Sequence, residues 1–417
     1  MTSGQAGLAD LDVIIVTRVL VSGGAEHQAL QLAGRLASEG VRTGLLTFRV
    51  DPIELPEGVI LLRADRLHLP RSRLYRRVTG LIGRAIERPA RAVLRLAARA
   101  WASGSSPVLR RALDATAAWS ALRSFAAQGT VIRHAVEVTG ASTIVTFLPS
   151  MNGAAAAGLW SSGVRWIASE RSDPTKGALK PHWAEMRHLV ARRADVFGAN
   201  SRGAADWLQE ELHPDRQTTS AVTPNISLDP PPAPAPTADR FLIVSRLLAG
   251  KGIETAIEVF AGLREELAHW ELLIAGEGSH HGELERLIHA LHVQGRCRLL
   301  GRVDTWELLS GGGVLLHVSV REGMPNAVME AMAWGVPSIV SDASPGPVEL
   351  IGGRAPAGIV VPFGDTGQLE EAMRQIATDS DFRGSTSKEA RRRAQGMTWA
   401  PTRPEWMALL ALDVNDR

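Results

Sequence analysis

Residues 321 to 340 read REGMPNAVMEAMAWGVPSIV, and this stretch constrains the fold more than any other. It follows a short apolar run, Val314-Leu315-Leu316-His317-Val318, which reads as a buried strand. Gly323, Pro325 and Asn326 make a tight turn, with Pro325 and Asn326 suited to the first helical position and its cap. The pattern predicts a helix from about Ala327 to Trp334, stopped by Gly335-Val336-Pro337, and a second apolar strand from Ser338. Glu322 then lies on the loop at the carboxyl end of a strand, where open α/β sheets bind ligands. Glu330 lies about one turn into the helix and faces back toward that loop. The free amides at the helix start can hold a negative group. Two carboxylates beside an anion cradle suit a ligand with both phosphates and hydroxyls, such as a sugar nucleotide. The same residues alone also fit an ordinary strand, loop and helix with two surface glutamates.

The rest of the chain repeats the strand–helix alternation. Asp12 to Thr17, a loop to Gly24, a helix to Glu39 and a strand from Arg42 to Phe48 form a βαβ opening. The loop Ser22-Gly23-Gly24-Ala25-Glu26 is not G-x-G-x-x-G, so a dinucleotide-binding reading has no support. Its two glycines still allow backbone to approach a phosphate. Further strands are expected at 142–148, 165–169 and 195–199, with Ser201 as the cap of the helix that follows. The strand at 165–169 delivers Glu170-Arg171-Ser172-Asp173 to its carboxyl end, a charged cluster that is either a site or a loop ion pair. The proline-rich run from Asp229 to Pro236 reads as a semi-rigid linker. After it a second series opens at Phe241, with a helix expected to reach about Leu267. Arg246 at a strand end and Lys251 near a helix start can converge on one diphosphate. Asp10-Leu11-Asp12 and Asp379-Ser380-Asp381 match a metal–diphosphate pattern but lack its context, and no metal site is assigned.

Glu322 and Glu330 form E-x7-E within EGMPNAVMEAMAWGVP. In that setting the chain resembles the family-4 retaining glycosyltransferases, which have the GT-B fold: α/β, two Rossmann-like domains facing across a cleft. The resemblance implies that Glu322 contacts the donor sugar and Glu330 the ribose hydroxyls. VSRLLAGKG resembles the family's R-x4-K-G element, whose Arg246 and Lys251 would bind the nucleotide phosphates. Gly276-Glu277-Gly278 resembles the G-x-G loop under the donor, and the turn at Arg302-Val303 the one whose backbone reads the base. Gly24 falls in a GGAE loop similar to the family's diphosphate-approaching loop, and Gly323, Met324, Pro325, Asn326 and Ala327 in its anion cradle. Many members carry a histidine where this chain has Glu170, and ASERSDP is similar to the version found in surface-polysaccharide and lipid-linked oligosaccharide assembly. Ser344-Pro345-Gly346-Pro347-Val348-Glu349 stands where the family has G-G-P-x-E, with the first glycine replaced. The implied division is an acceptor domain over 1–228, a linker over 229–238, a donor domain over 239–395 and a final helix over 396–417 that crosses back. The implied reaction takes a UDP- or GDP-linked sugar, with no cofactor and no metal, to a hydroxyl of a glycan or polyprenyl-diphosphate-linked acceptor.

Charge distribution adds a partner. Residues 63–128 hold 14 arginines, no lysine and three acids, a net of +11 in a chain whose net is only +2. Arg91, Arg95 and Arg99 lie four apart, opposite Leu96, Ala97 and Trp101. Such helices either coat the first domain or dock on an anionic membrane surface. Apart from Tyr75, the arginine-dense part of the stretch lacks the stacking aromatics of single-strand binders, so nucleic acid is not expected as a partner. A single cysteine, Cys297, excludes an internal disulfide framework and suits a reducing compartment. The longest uncharged run, Val138 to Val164, is interrupted by Pro149, Asn152 and several Gly and Ser. With no signal peptide evident at the N-terminus, the expected place is the cytoplasm, peripheral on the inner face of the cell membrane. Two other readings remain from sequence alone: a non-catalytic scaffold of a membrane glycan-assembly complex, and a sugar-nucleotide epimerase.

Overall fold

The structure is a computed structural model, and it describes residues 10–20, 23–49, 54–67, 125–175, 181–211 and 219–412. Most of the arginine-rich stretch, including Arg91, Arg95 and Arg99, lies outside the described residues.

Two six-stranded parallel sheets organise the chain. The first contains β1 (Val13–Thr17), β2 (Thr43–Thr47), β3 (Ile60–Arg63), β4 (Thr143–Phe147), β5 (Arg165–Glu170) and β6 (Val196–Ala199), in the order β3-β2-β1-β4-β5-β6. The second contains β7 (Arg240–Val244), β8 (Glu271–Ala275), β9 (Cys297–Gly301), β10 (Val314–His317), β11 (Ser338–Ser341) and β12 (Gly358–Val361), in the order β12-β11-β10-β7-β8-β9. Read from its own first strand, the second sheet repeats the winding of the first. Each therefore reverses direction between its first and fourth strands, β1/β4 and β7/β10, and such a reversal opens a crevice at the carboxyl ends.

The strands are buried because helices cover both faces. Alternate residues of β1 serve opposite faces: Ile14 and Val16 pack with Ile144, Trp166 and Phe197, while Val13 and Ile15 pack with Leu32, Leu36, Trp406 and Leu410. The second sheet does the same, with Phe241 and Ile243 against Phe260 and Trp270, and Leu242 against Leu315, Val328 and Met332. The helix after Lys251 spans Ile253–Gly262 and not the longer run to Leu267; Gly262, a poor helix former, sits at its end.

The segment 229–238 runs extended along the second unit, held where Ala235 N donates to Trp334 O (2.8 Å) and Arg391 donates to Pro231 O. The last helix, Trp399–Leu410, lies on the first sheet, where Arg165 Nε donates to Leu409 O (2.9 Å) and Trp399 Nε1 to Glu39 (3.0 Å). Asp12 and Asp379 of the two D-x-D matches have local duties: Asp12 binds the Arg42 guanidinium (2.7 Å), and Asp379 caps the helix Ser380–Gln395. Among the described residues no helix is long and apolar enough to cross a membrane.

Candidate functional site

The crevice of the second sheet gathers the loops after β7, β8, β10 and β11. Lys251 stands on a loop whose flanking glycines both take positive φ, +80° at Gly250 and +68° at Gly252. A Cβ on Gly252 would lie 2.3 Å from Val318 O, so the loop can press against the end of β10 only without a side chain there. That approach brings Lys251 Nζ to 2.5 Å from Glu322 Oε1. His317, the last residue of β10, places Nε2 3.4 Å from the same oxygen. Burial alone would raise the Glu322 carboxyl; His317 and Lys251 outweigh it and hold the group down at about 2. The Glu322 amide donates to Ser344 Oγ (3.1 Å), which fixes the backbone beneath.

Arg246, at the end of β7, is exposed and faces Glu26 from the first unit. Burial raises the Glu26 carboxyl, while its own backbone bond and the Arg246 charge oppose that. Gly276 and Gly278 permit stacking of two loops: a Cβ would fall 1.8 Å from Ser245 O and 2.1 Å from Leu247 O respectively. Arg302 and Glu277 form an exposed pair at 3.2 Å, and Val303 is exposed beside them. Glu330, on the helix Asn326–Trp334, has its carboxyl pushed up to about 7 by burial and then by Asp304.

Asn326 is not the cap of its helix. It is the first residue inside, with Pro325 at the cap position and no capping side chain. Its amide reaches across the cleft instead, donating to Gly24 O (2.9 Å) and accepting from Asn225 Nδ2 (2.7 Å) and Gln28 Nε2 (3.2 Å). Asn225 also donates to Met324 O (3.0 Å), so the loop from Gly323 to Ala327 is tied to the first unit at both Met324 and Asn326. Gly323 lies so close that a Cβ would come 2.7 Å from Arg171 O. Ser201 does not cap its helix either. Glu349 reaches over from the second unit and accepts from the amides of Arg202 (2.9 Å) and Gly203 (2.7 Å). A carboxylate satisfies two orphan amides and suits the positive helix end better than a hydroxyl can.

Glu170 ends β5, only 1% exposed, with Arg187 Nε 3.3 Å from Oε1. Burial raises its carboxyl, opposed by Arg187 and Arg321. It lines a cavity of about 270 Å³ together with Ser150, Asn152, Arg187 and Arg321, the last being the chain neighbour of Glu322.

The geometry therefore joins Lys251 and Glu322 directly, sets Arg246 and Glu330 along the same crevice, and gives Glu170 its own cavity. His317, Gln28, Asn225 and Glu349 escaped the reading of the sequence as site residues. His317 left one trace, a lone polar residue within a buried apolar run, next to a loop.

Residues 229–393 match the family described as Glycosyl transferases group 1. A lipopolysaccharide 1,6-galactosyltransferase of Salmonella typhimurium is 30% identical over 143 residues, 32% of this chain and 40% of that protein. An exopolysaccharide phosphotransferase of Streptomyces coelicolor is 28% identical over 204 residues, 48% of this chain and 22% of that protein. The chain thus spans well under half the length of these curated relatives. Among solved structures, sucrose-phosphate synthase of Thermosynechococcus elongatus matches with TM-score 0.72 at 17% identity, over 96% of this chain and 98% of that one. Anabaena HepE, solved with UDP and glucose, matches with TM-score 0.67 at 14% identity, over 96% and 100%. Together with the two sheets these likenesses establish the fold as GT-B.

Proposed function

We infer, from a group 1 glycosyltransferase domain set in a GT-B fold, that the chain is a glycosyltransferase of cell-surface polysaccharide or glycolipid synthesis. It moves a sugar from a nucleotide-diphosphate donor to a hydroxyl of a glycan or lipid-linked acceptor, with retention at the anomeric carbon. The observation that carries this is the Lys251–Glu322 pair at the crevice of the second sheet, beside the start of the helix Asn326–Trp334. The relatives named as lipopolysaccharide and amylovoran glycosyltransferases, and HepE with its UDP, support the substrate classes.

In this reading the developing charge on the leaving diphosphate is the main electrostatic demand. Arg246, Lys251 and the first amides of the helix Asn326–Trp334 meet it without a metal. Glu322 holds the donor sugar and Glu330 the ribose hydroxyls. Glu170, at the neighbouring cavity, faces the acceptor side of the reacting centre. The arginine-rich stretch, which falls mostly outside the described residues, supports placement in the cytoplasm at the inner face of the membrane, where a lipid-linked acceptor resides.

The test is a panel of UDP- and GDP-sugars scored by thermal stabilisation, followed by product analysis with and without glycan acceptors. A binding donor raises the melting temperature by mass action. Transfer that requires an acceptor supports the reading. Failure of every nucleotide sugar to stabilise the chain overturns it, and conversion of the donor without acceptor replaces transfer by epimerisation.

A further inference from the structure

Lys251 is already engaged. Its ammonium lies 2.5 Å from Glu322 Oε1, and the two side chains are only 17% and 19% exposed. A donor diphosphate that draws Lys251 away leaves behind a largely buried carboxylate, and such a charge without a partner is costly. A second partner stands ready. His317 Nε2 is 3.4 Å from the same oxygen, on a side chain only 7% exposed: close enough to help hold the carboxyl down, but short of hydrogen-bond geometry while Lys251 occupies Oε1. The two partners differ in freedom. His317 is fixed by strand pairing opposite Val340, whereas Lys251 has a long stem on a loop flanked by two positive-φ glycines.

We propose that Glu322 holds Lys251 until a donor diphosphate binds and then releases it to that group, with His317 taking over Oε1. His317 is then a positioning residue: it keeps Glu322 ionised and aimed at the donor sugar after Lys251 has moved. This rests on the reading of the crevice as a nucleotide-diphosphate site. Its sharpest consequence runs against the usual effect of deleting a site carboxylate. Glu322→Gln frees the ammonium in advance, so a nucleoside diphosphate without sugar binds more tightly.

The experiment is calorimetric titration of the full chain with UDP and with GDP, using wild type, Glu322→Gln, His317→Phe, His317→Gln and the double variant Glu322→Gln/His317→Phe. Glu322→Gln is expected to bind the accepted nucleotide about tenfold more tightly than wild type, equivalent to about 1.4 kcal/mol. His317→Phe is expected to weaken binding by a similar factor, His317→Gln to retain most of it, and the double variant to show no penalty from the lost imidazole. Equal or weaker binding by Glu322→Gln overturns the handover, because Lys251 then stays on Glu322 in the complex. An equal loss from His317→Phe in both backgrounds assigns the histidine to packing alone and also overturns it. If wild type binds neither UDP nor GDP, the nucleotide reading of the crevice fails and the handover falls with it.

Discussion

The Glu330 carboxyl changes charge within the ordinary pH range. Its carboxyl titrates at about 7, raised from 4.5 by burial and by Asp304. Between those values the folded chain holds a proton that the unfolded chain has lost, so this group makes stability fall as pH rises from 4.5 to 7. Glu322 works in the opposite sense: held at about 2, it supports the fold above 4.5 and loses that support as pH falls toward 2. Melting temperatures of Glu330→Gln across pH 4.5 to 8 should lack the Glu330 decline, and an unchanged profile would remove the assignment. If Glu330 receives the ribose as a carboxylate, donor affinity should also rise with pH through about 7 in wild type and stay flat in Glu330→Gln. At the far side of the crevice, Arg246→Ala should weaken UDP or GDP binding by about 1.5–3 kcal/mol, the usual range for a charge-assisted bond. Unchanged affinity in calorimetry would take Arg246 out of the phosphate site. The glutamates were legible because E-x7-E is a local spacing on one loop and helix. The partners of Asn326 were not, because Gln28 and Gly24 lie about 300 residues away and no local rule connects them.

At the scale of elements, apolar runs separated by helical periodicity placed most strands to within a residue or two, since burial on both faces leaves little room for polar residues, but the edge strand β3, with only Leu62 buried, was not expected. Helix ends were harder to read. A capping group need not be a neighbour in sequence: at the helix Arg202–Glu211 it is Glu349, on the second unit. Removing that carboxylate should behave as loss of an N-cap. Glu349→Ala is expected to cost about 1 kcal/mol in urea unfolding, and Glu349→Gln less, because its amide oxygen still accepts one bond. Equal stability of wild type and Glu349→Ala would show that solvent serves those amides equally well. Gly346 makes the complementary point for a replaced motif. A Cβ there would lie 1.8 Å from Gly323 O, so this second glycine keeps the loop that carries Glu322 seated although Pro345 stands where the family's first glycine would.

At the scale of the whole molecule, the two sheets repeat one winding, and their crevices face each other because the loop from Gly323 to Asn326 bonds directly to the first unit. The chain crosses between the units a second time near its end. The helix Ser380–Gln395 belongs to the second unit, where Ser387 Oγ donates to Gly335 O (2.6 Å) and Arg391 to Ala333 O (3.3 Å). Four residues later Trp399 begins a helix whose Trp406 and Leu410 fill the core of the first, together with Val13, Ile15 and Leu36. Trp406 is 1% exposed, so replacing it by alanine leaves a cavity that neighbouring helices cannot readily close. Trp406→Ala should therefore destabilise the first unit by about 3–5 kcal/mol. The location of the loss is the informative part. Hydrogen exchange should show protection falling across β1, β2 and β4, which share that core, while β7, β8 and β10 keep theirs. Equal loss in all six strands would mean that the polar seam at Asn326 couples the two units into one cooperative block, and the domains would then open together whenever the crevice does.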